Sequence, residues 1–170
     1  MTDLQGRRVV TPTAEQNEKD NNNNKSRLSI ANDDMADFES YYWLAPPEYL
    51  GKKLTAYSQF VKFQVSWVKA RGDSAGKATK GPDVIMEGGG MKIGYGDRTY
   101  HRDSNTTITW MLRESKHWYH IPETVADIVR RRRTEYKGEA VTKTQLMTVL
   151  NDLRRLLVRA KFHTDQIEGV

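Results

Sequence analysis

Cysteine is absent from the chain, so no disulfide staples it and no thiolate can serve as nucleophile or metal ligand. Taken alone, that absence points to a reducing compartment or to a module stable without cross-links. No apolar run approaches the length that spans a bilayer, and the Met1 end lacks the charged and apolar regions of a secretory leader. The chain fits a cytosolic protein or an internal piece of a longer one. Catalytic signatures are missing too. After Gly88 and Gly90 the third glycine of a dinucleotide fingerprint would fall at Ile93, no P-loop lysine follows, and no G-x-S-x-G elbow occurs. No pair of carboxylates stands out as acid and base, so no enzyme activity and no cofactor are expected.

What is present is polar and basic. At 170 residues the chain suits one domain, with 37% hydrophobic and 29% charged residues and a net charge of +5. That charge favours polyanions in general: nucleic acid, an anionic membrane surface or a sulfated glycan. Its sharpest feature is the run Arg130, Arg131, Arg132 and Arg133, which could grip sulfate or phosphate through paired hydrogen bonds. The competing reading is a solvated loop. Lys52 and Lys53 are the candidate helpers, with Arg154 and Arg155 behind them.

Periodicity predicts a mostly β chain. Val61, Phe63, Val65 and Trp67 alternate with polar residues, and so do Ile108, Trp110 and Leu112. The segments "DVIME" and "MKIGYG" flank Gly88, Gly89 and Gly90, which predicts two strands and a tight, glycine-dependent turn. Ahead of them, "RRVVT" predicts one short strand, and residues 16–40, with four consecutive asparagines, predict a long mobile loop. Residues 121–141 read as a basic insertion loop. Near the C-terminus, Leu146, Val149, Leu150 and Leu153 have helical spacing, with Thr142 or Thr144 as cap. From Leu156 to His163 the pattern fits either a strand or a continuation of that helix.

Other residues were weighed for chemistry. Glu114, His117 and His120 in "ESKHWYH" would supply metal ligands if the segment were helical, but surface histidines are the simpler reading. Trp67 and Trp110 lie on the apolar phase of their strands and predict core packing, whereas Trp43 and Trp118 are open to either core or sugar-stacking roles. Asn24 and Asn105 begin N-x-S/T sequons and are glycosylation acceptors in a secreted protein.

The stretch "YYWLAPPEYLGKKLTAY", Tyr41–Tyr57, resembles the start of the laminin IV type A (laminin B) domain. The likeness continues in order through "FVKFQVSW", "PDVIMEGGGM", "ITWMLRESKHW" and "TKTQLMTVLNDLRRLLVRAKF". Ser58 and Gln59 depart from it, standing where the family usually has two glycines. The resemblance implies an antiparallel β-sandwich of jelly-roll type with a short helix near the C-terminus, forming a single domain over residues 1–170. It further implies a secreted, non-catalytic structural and adhesion module of basement-membrane proteins, in first place a perlecan-like heparan-sulfate proteoglycan and in second a laminin α or γ chain; a glycan-processing enzyme on a jelly-roll scaffold is the remaining alternative. Cysteine-rich EGF-like modules would flank it, which reconciles a cysteine-free chain with the extracellular matrix. Matrix proteins, cell-surface receptors and heparan sulfate are the expected partners; nucleic acid and membrane insertion are not. The ending "DQIEGV" is expected to stop short of a final strand.

Overall fold

The computed structural model describes residues 14–20, 23–31, 42–65, 67–69, 81–96, 106–115, 117–121, 138–162 and 166–169. These form eleven strands and one α-helix. In chain order the strands are β1 (Ala14–Asp20), β2 (Asn23–Ala31), β3 (Tyr42–Leu44), β4 (Phe60–Val65), β5 (Trp67–Lys69) and β6 (Val84–Gly88). They continue with β7 (Met91–Tyr95), β8 (Thr106–Met111), β9 (Trp118–His120), β10 (Leu153–Arg159) and β11 (Gln166–Gly169), and helix α1 (Lys143–Asn151) precedes β10. Every strand pair is antiparallel.

The central sheet has the order β3-β10-β6-β7-β9, and β4 pairs with β8 in a second layer. Between them lies the main core. Val84, Met86 and Ile93 from the central sheet meet Ile108, Trp110 and Leu112 from the β8 segment, with Leu146, Val149 and Leu150 of α1 closing one end. Burying an aliphatic side chain of this size contributes roughly 1.5–3 kcal/mol, so the alternating apolar phase fixes which face each strand turns inward. Trp110 and Trp118 are both buried here, which places Trp118 in the core and confirms Trp110 there. Trp43 is half-buried on β3.

The predicted turn between β6 and β7 is present, with Gly89 and Gly90 at φ +55° and +74°, the pair of left-handed residues that a two-residue hairpin requires. The helix also starts where expected. Thr142 accepts from the Gln145 amide while the Gln145 side chain accepts from the Thr142 amide, a reciprocal cap. At Asp152 the chain leaves the helix and becomes β10, which decides between the two readings of that segment.

Three expectations need correction. Residues 16–40, expected as one long loop, include a hairpin in which β1 and β2 pair from Ala14↔Ser29 to Asp20↔Asn23. Main-chain hydrogen bonds build that ladder without the apolar alternation that would announce it. The strand expected over Val61–Trp67 is divided: β4 pairs with β8, whereas β5 pairs with β11 in a further sheet of order β1-β2-β11-β5. Finally, Gln166–Gly169 in the ending "DQIEGV" is itself a strand, paired with β2 on one side and β5 on the other. The short strand expected at "RRVVT" lies outside the described residues, as does most of 121–141.

A second cluster, Tyr42, Ile85, Tyr119, Ile121 and Leu157, is buried on the opposite face of the central sheet. Strand β10 therefore points Leu156 into the first cluster and Leu157 into the second, with a register shift between Leu153 and Arg155. Its last residues carry an unexpected load. Arg159 and Lys161, read from sequence as the polar phase, are both 2% exposed, beside Asp83 at 2%.

Candidate functional site

Of the cations singled out in the sequence, Arg130, Arg131, Arg132 and Arg133 lie outside the described residues. Lys52 and Lys53 are described, and the main chain beside them is bridged, across a large sequence separation, to the segment that carries Arg154. Gly51 N donates to Leu153 O at 2.8 Å, Leu153 N donates to Gly51 O at 3.1 Å, and Lys53 N donates to Leu150 O at 2.7 Å. Gly51 permits that approach with φ +89°. Two of these cations have partners: Arg154 Nε donates to the Asp152 carboxylate at 2.9 Å, which offsets its charge, and Lys53 Nζ donates to the neutral Glu48 carbonyl at 2.8 Å, which does not. Arg155 sits apart, sharing Glu87 with Lys92, at 3.2 Å and 3.1 Å. Lys52 is exposed.

The outward face of the β4/β8 pair carries residues that no sequence reading selected. Phe60 and Met111 are direct cross-strand partners, yet they are 66% and 36% exposed. Lys62 is paired with Thr109 on the same face, Thr107 follows, and Arg113 lies just past the end of β8, all exposed. The signal was available: Phe60 and Met111 occupy the polar phase of two otherwise alternating strands.

Asn24 lies on β2 opposite Lys19, one position from the end of the hairpin ladder. Asn105 lies outside the described residues, immediately before β8.

The histidine segment is not helical. Trp118–His120 is strand β9, so neighbouring residues point to opposite faces and cannot converge as the metal reading required. Glu114 is engaged elsewhere, accepting a short hydrogen bond from the Tyr57 hydroxyl. Among the described residues there is no group of three or more His, Asp or Glu arranged to hold a metal ion.

The Tyr57–Glu114 pair is coupled to pH. The Tyr57 hydroxyl, foremost, and then its own backbone N–H hold the Glu114 carboxyl below its ordinary 4.5. The same hydrogen bond, then desolvation, raises Tyr57 above its ordinary 10.0. Lys143 Nζ lies 5.3 Å from the Tyr57 ring centroid. Glu114 binds its proton less readily folded than unfolded, so its stabilisation is complete above pH 4.5 and lost as pH falls through the lowered value. Tyr57 works in the opposite sense, contributing fully below pH 10.0 and losing its contribution as pH rises through the raised value. Tyr57→Phe should therefore lower the urea midpoint near neutral pH, and the gap to wild type should narrow as acid is added below the ordinary carboxylate range. An equal gap at neutral and acid pH would rule this coupling out.

Comparison with known proteins decides what kind of domain this is. A family model for laminin B (domain IV) matches residues 42–170. The chain belongs to that family. Over 129 residues this laminin B domain is 30% identical to laminin subunit alpha-1 of Mus musculus, a stretch covering 74% of the chain and 4% of the relative. The Homo sapiens laminin subunit alpha-1 is likewise 30% identical over 129 residues, covering 73% of the chain and 4% of the relative. The basement membrane-specific heparan sulfate proteoglycan core protein of Mus musculus is 22% identical over 123 residues, with 72% and 3% covered. The chain thus spans only a few hundredths of the curated relatives it matches. Among solved structures, the L4b domain of human laminin alpha-2 has the same fold, with a TM-score of 0.65 at 20% identity over 84% of this chain and 74% of that one.

The family match begins at β3, so the β1/β2 hairpin precedes the shared laminin B span. Ser58 has φ +62°, a left-handed conformation that costs a non-glycine residue some backbone strain. Among the described residues no helix is long and apolar enough to cross a membrane.

Proposed function

We propose that this chain is a secreted, non-catalytic structural and adhesion module of the extracellular matrix, part of a basement-membrane protein. The observation that carries this reading is the laminin B match over residues 42–170, together with curated relatives that are a laminin subunit and a basement-membrane proteoglycan core protein. A jelly-roll arrangement, flanking EGF-like modules and matrix or cell-surface receptor partners belong to the same reading. The parent protein is perlecan-like or a laminin chain; the 30% identity to laminin alpha-1 against 22% to the proteoglycan supports the laminin alternative. The test is to place the chain behind a secretory leader and express it in cultured animal cells that deposit a matrix. The domain is expected in the deposited matrix, carrying glycans at Asn24 and Asn105 that a peptide N-glycosidase removes. A chain retained inside the cell, or one washed freely from the matrix, would overturn the proposal.

A second reading is that the domain binds heparan sulfate through Arg130, Arg131, Arg132 and Arg133, with Lys52 and Lys53 assisting. The Gly51–Leu153 bridge, which joins the main chain beside Lys52 and Lys53 to the main chain beside Arg154, supports it. Elution of the wild-type domain from heparin is expected at higher salt than elution of a variant with all four arginines changed to alanine. Co-elution of the two would leave the arginines as solvated surface charge.

A further inference from the structure

We infer that the outward face of the β4/β8 pair is a docking surface for an acidic glycan, with the Phe60 ring as its platform. This rests on the matrix-glycan reading above but uses different residues. The face departs from ordinary solvent-facing β-structure in two ways. Its most exposed large side chain is an aromatic ring, 66% exposed and directly opposite the 36% exposed Met111. Its charged residues are all cations: Lys62 two positions along β4 and exposed Arg113 beyond β8, with no acid among the described side chains of the two outward rows. The nearest carboxylate in sequence, Glu114, is occupied by the Tyr57 hydroxyl.

Those features specify the occupant by chemistry. Antiparallel partners lie roughly 4.5–5.5 Å apart, and alternate residues on one strand about 7 Å apart. Phe60 and Met111 therefore form a flat apolar step, with Lys62 one row away on one side and Arg113 beyond β8 on the other. A sugar ring has an apolar C–H face that seats on an aromatic ring, and its sulfate or carboxylate groups project from the ring edge to where cations would meet them. Exposed Thr107 and Thr109 add hydroxyls along the same row, as donors or acceptors for sugar hydroxyls. An acidic peptide would need pockets to anchor its side chains, whereas a strand-pair face offers a platform. The net charge of +5 adds general attraction for any polyanion, but only the ring makes recognition depend on a pyranose.

The probe is a heparin-derived octasaccharide, titrated calorimetrically into the full chain and its variants. Phe60→Ala is expected to weaken binding about fivefold or more, the size of one well-seated contact. Lys62→Ala with Arg113→Ala should weaken it comparably and flatten the salt dependence. All three positions are exposed, so both variants should fold, which circular dichroism checks. The four-arginine alanine variant tests the separate Arg130–Arg133 reading, and its affinity should keep the same dependence on Phe60. The inference fails if wild type does not bind the octasaccharide, or if Phe60→Ala binds within twofold of wild type. It also fails if polyglutamate, which has carboxylates but no sugar ring, binds as tightly and is insensitive to Phe60→Ala, since the face would then be an electrostatic surface for acidic protein.

Discussion

Arg159→Met is expected to destabilise the domain by about 3–5 kcal/mol, the usual cost of breaking a buried ion pair by removing one member. The Arg159 side chain is 1% exposed and Asp83 is 3% exposed, with Nη1 3.6 Å from Asp83 Oδ1. The guanidinium also donates to the Lys161 carbonyl at 3.0 Å and to the Gly81 carbonyl at 3.2 Å, and it lies 4.9 Å from the Phe162 ring centroid. Methionine fills part of the volume and supplies none of those donors. Asp83→Asn with Arg159→Met should lose less than the single Arg159→Met change, because the buried negative charge that the guanidinium faced is removed with it. Urea denaturation followed by tryptophan fluorescence reads both. A loss under about 1 kcal/mol for the single variant would mean that water reaches the pair and screens it.

Gly88→Ala is expected to rank next, at or above the upper end of the roughly 1–3 kcal/mol that overpacking costs. A Cβ on Gly88 would run into the Asp152 carbonyl oxygen and lie 2.7 Å from the Val149 carbonyl oxygen. Both obstacles are backbone at the C-terminal end of α1, so no side chain can rotate out of the way. Gly90→Ala is the matched control. Nothing lies within 4 Å of its added Cβ, leaving only the strain of φ +74°, about 1–2 kcal/mol. If the two variants unfold at the same denaturant concentration, the helix does not rest on β6 as closely as described.

The elements that could be read in advance are those whose signal is local. Ile108, Trp110 and Leu112 announce β8 because one face is dry and the other wet, and Thr142 announces α1 because Gln145 stands three residues on. Residues 14–31 give no such signal: Glu18 faces Lys25 and Lys19 faces Asn24, so the pairing is carried by the main chain. Strand β10 was ambiguous because both of its faces are covered, which removes the alternation that separates strand from helix. The burial of Arg159 has no local signal, since its partners Asp83 and Gly81 are far from it in sequence. The same holds for the candidate sites. Lys52 and Lys53 could be picked out as cations, but the link between their segment and that of Arg154 depends on a bridge between residues about a hundred positions apart. Phe60 and Met111 escaped notice because alternation was used to find apolar residues inside, not those left outside.

Tyr42 and Arg159 are direct partners at one end of the β3/β10 ladder. The chain therefore enters and leaves the central sheet at neighbouring points, one strand spacing of about 5 Å apart. Pulling those two points in opposite directions would unzip β3 from β10 one rung at a time, starting at the Tyr42–Arg159 end, instead of shearing all the rungs together. With three residues in β3, that seam has little resistance to offer. Force arriving along the chain from beyond these points would first meet the β2–β11 and β11–β5 pairings, and only once those had parted would it open the β3/β10 seam, while the cores on either face of β6 stay closed.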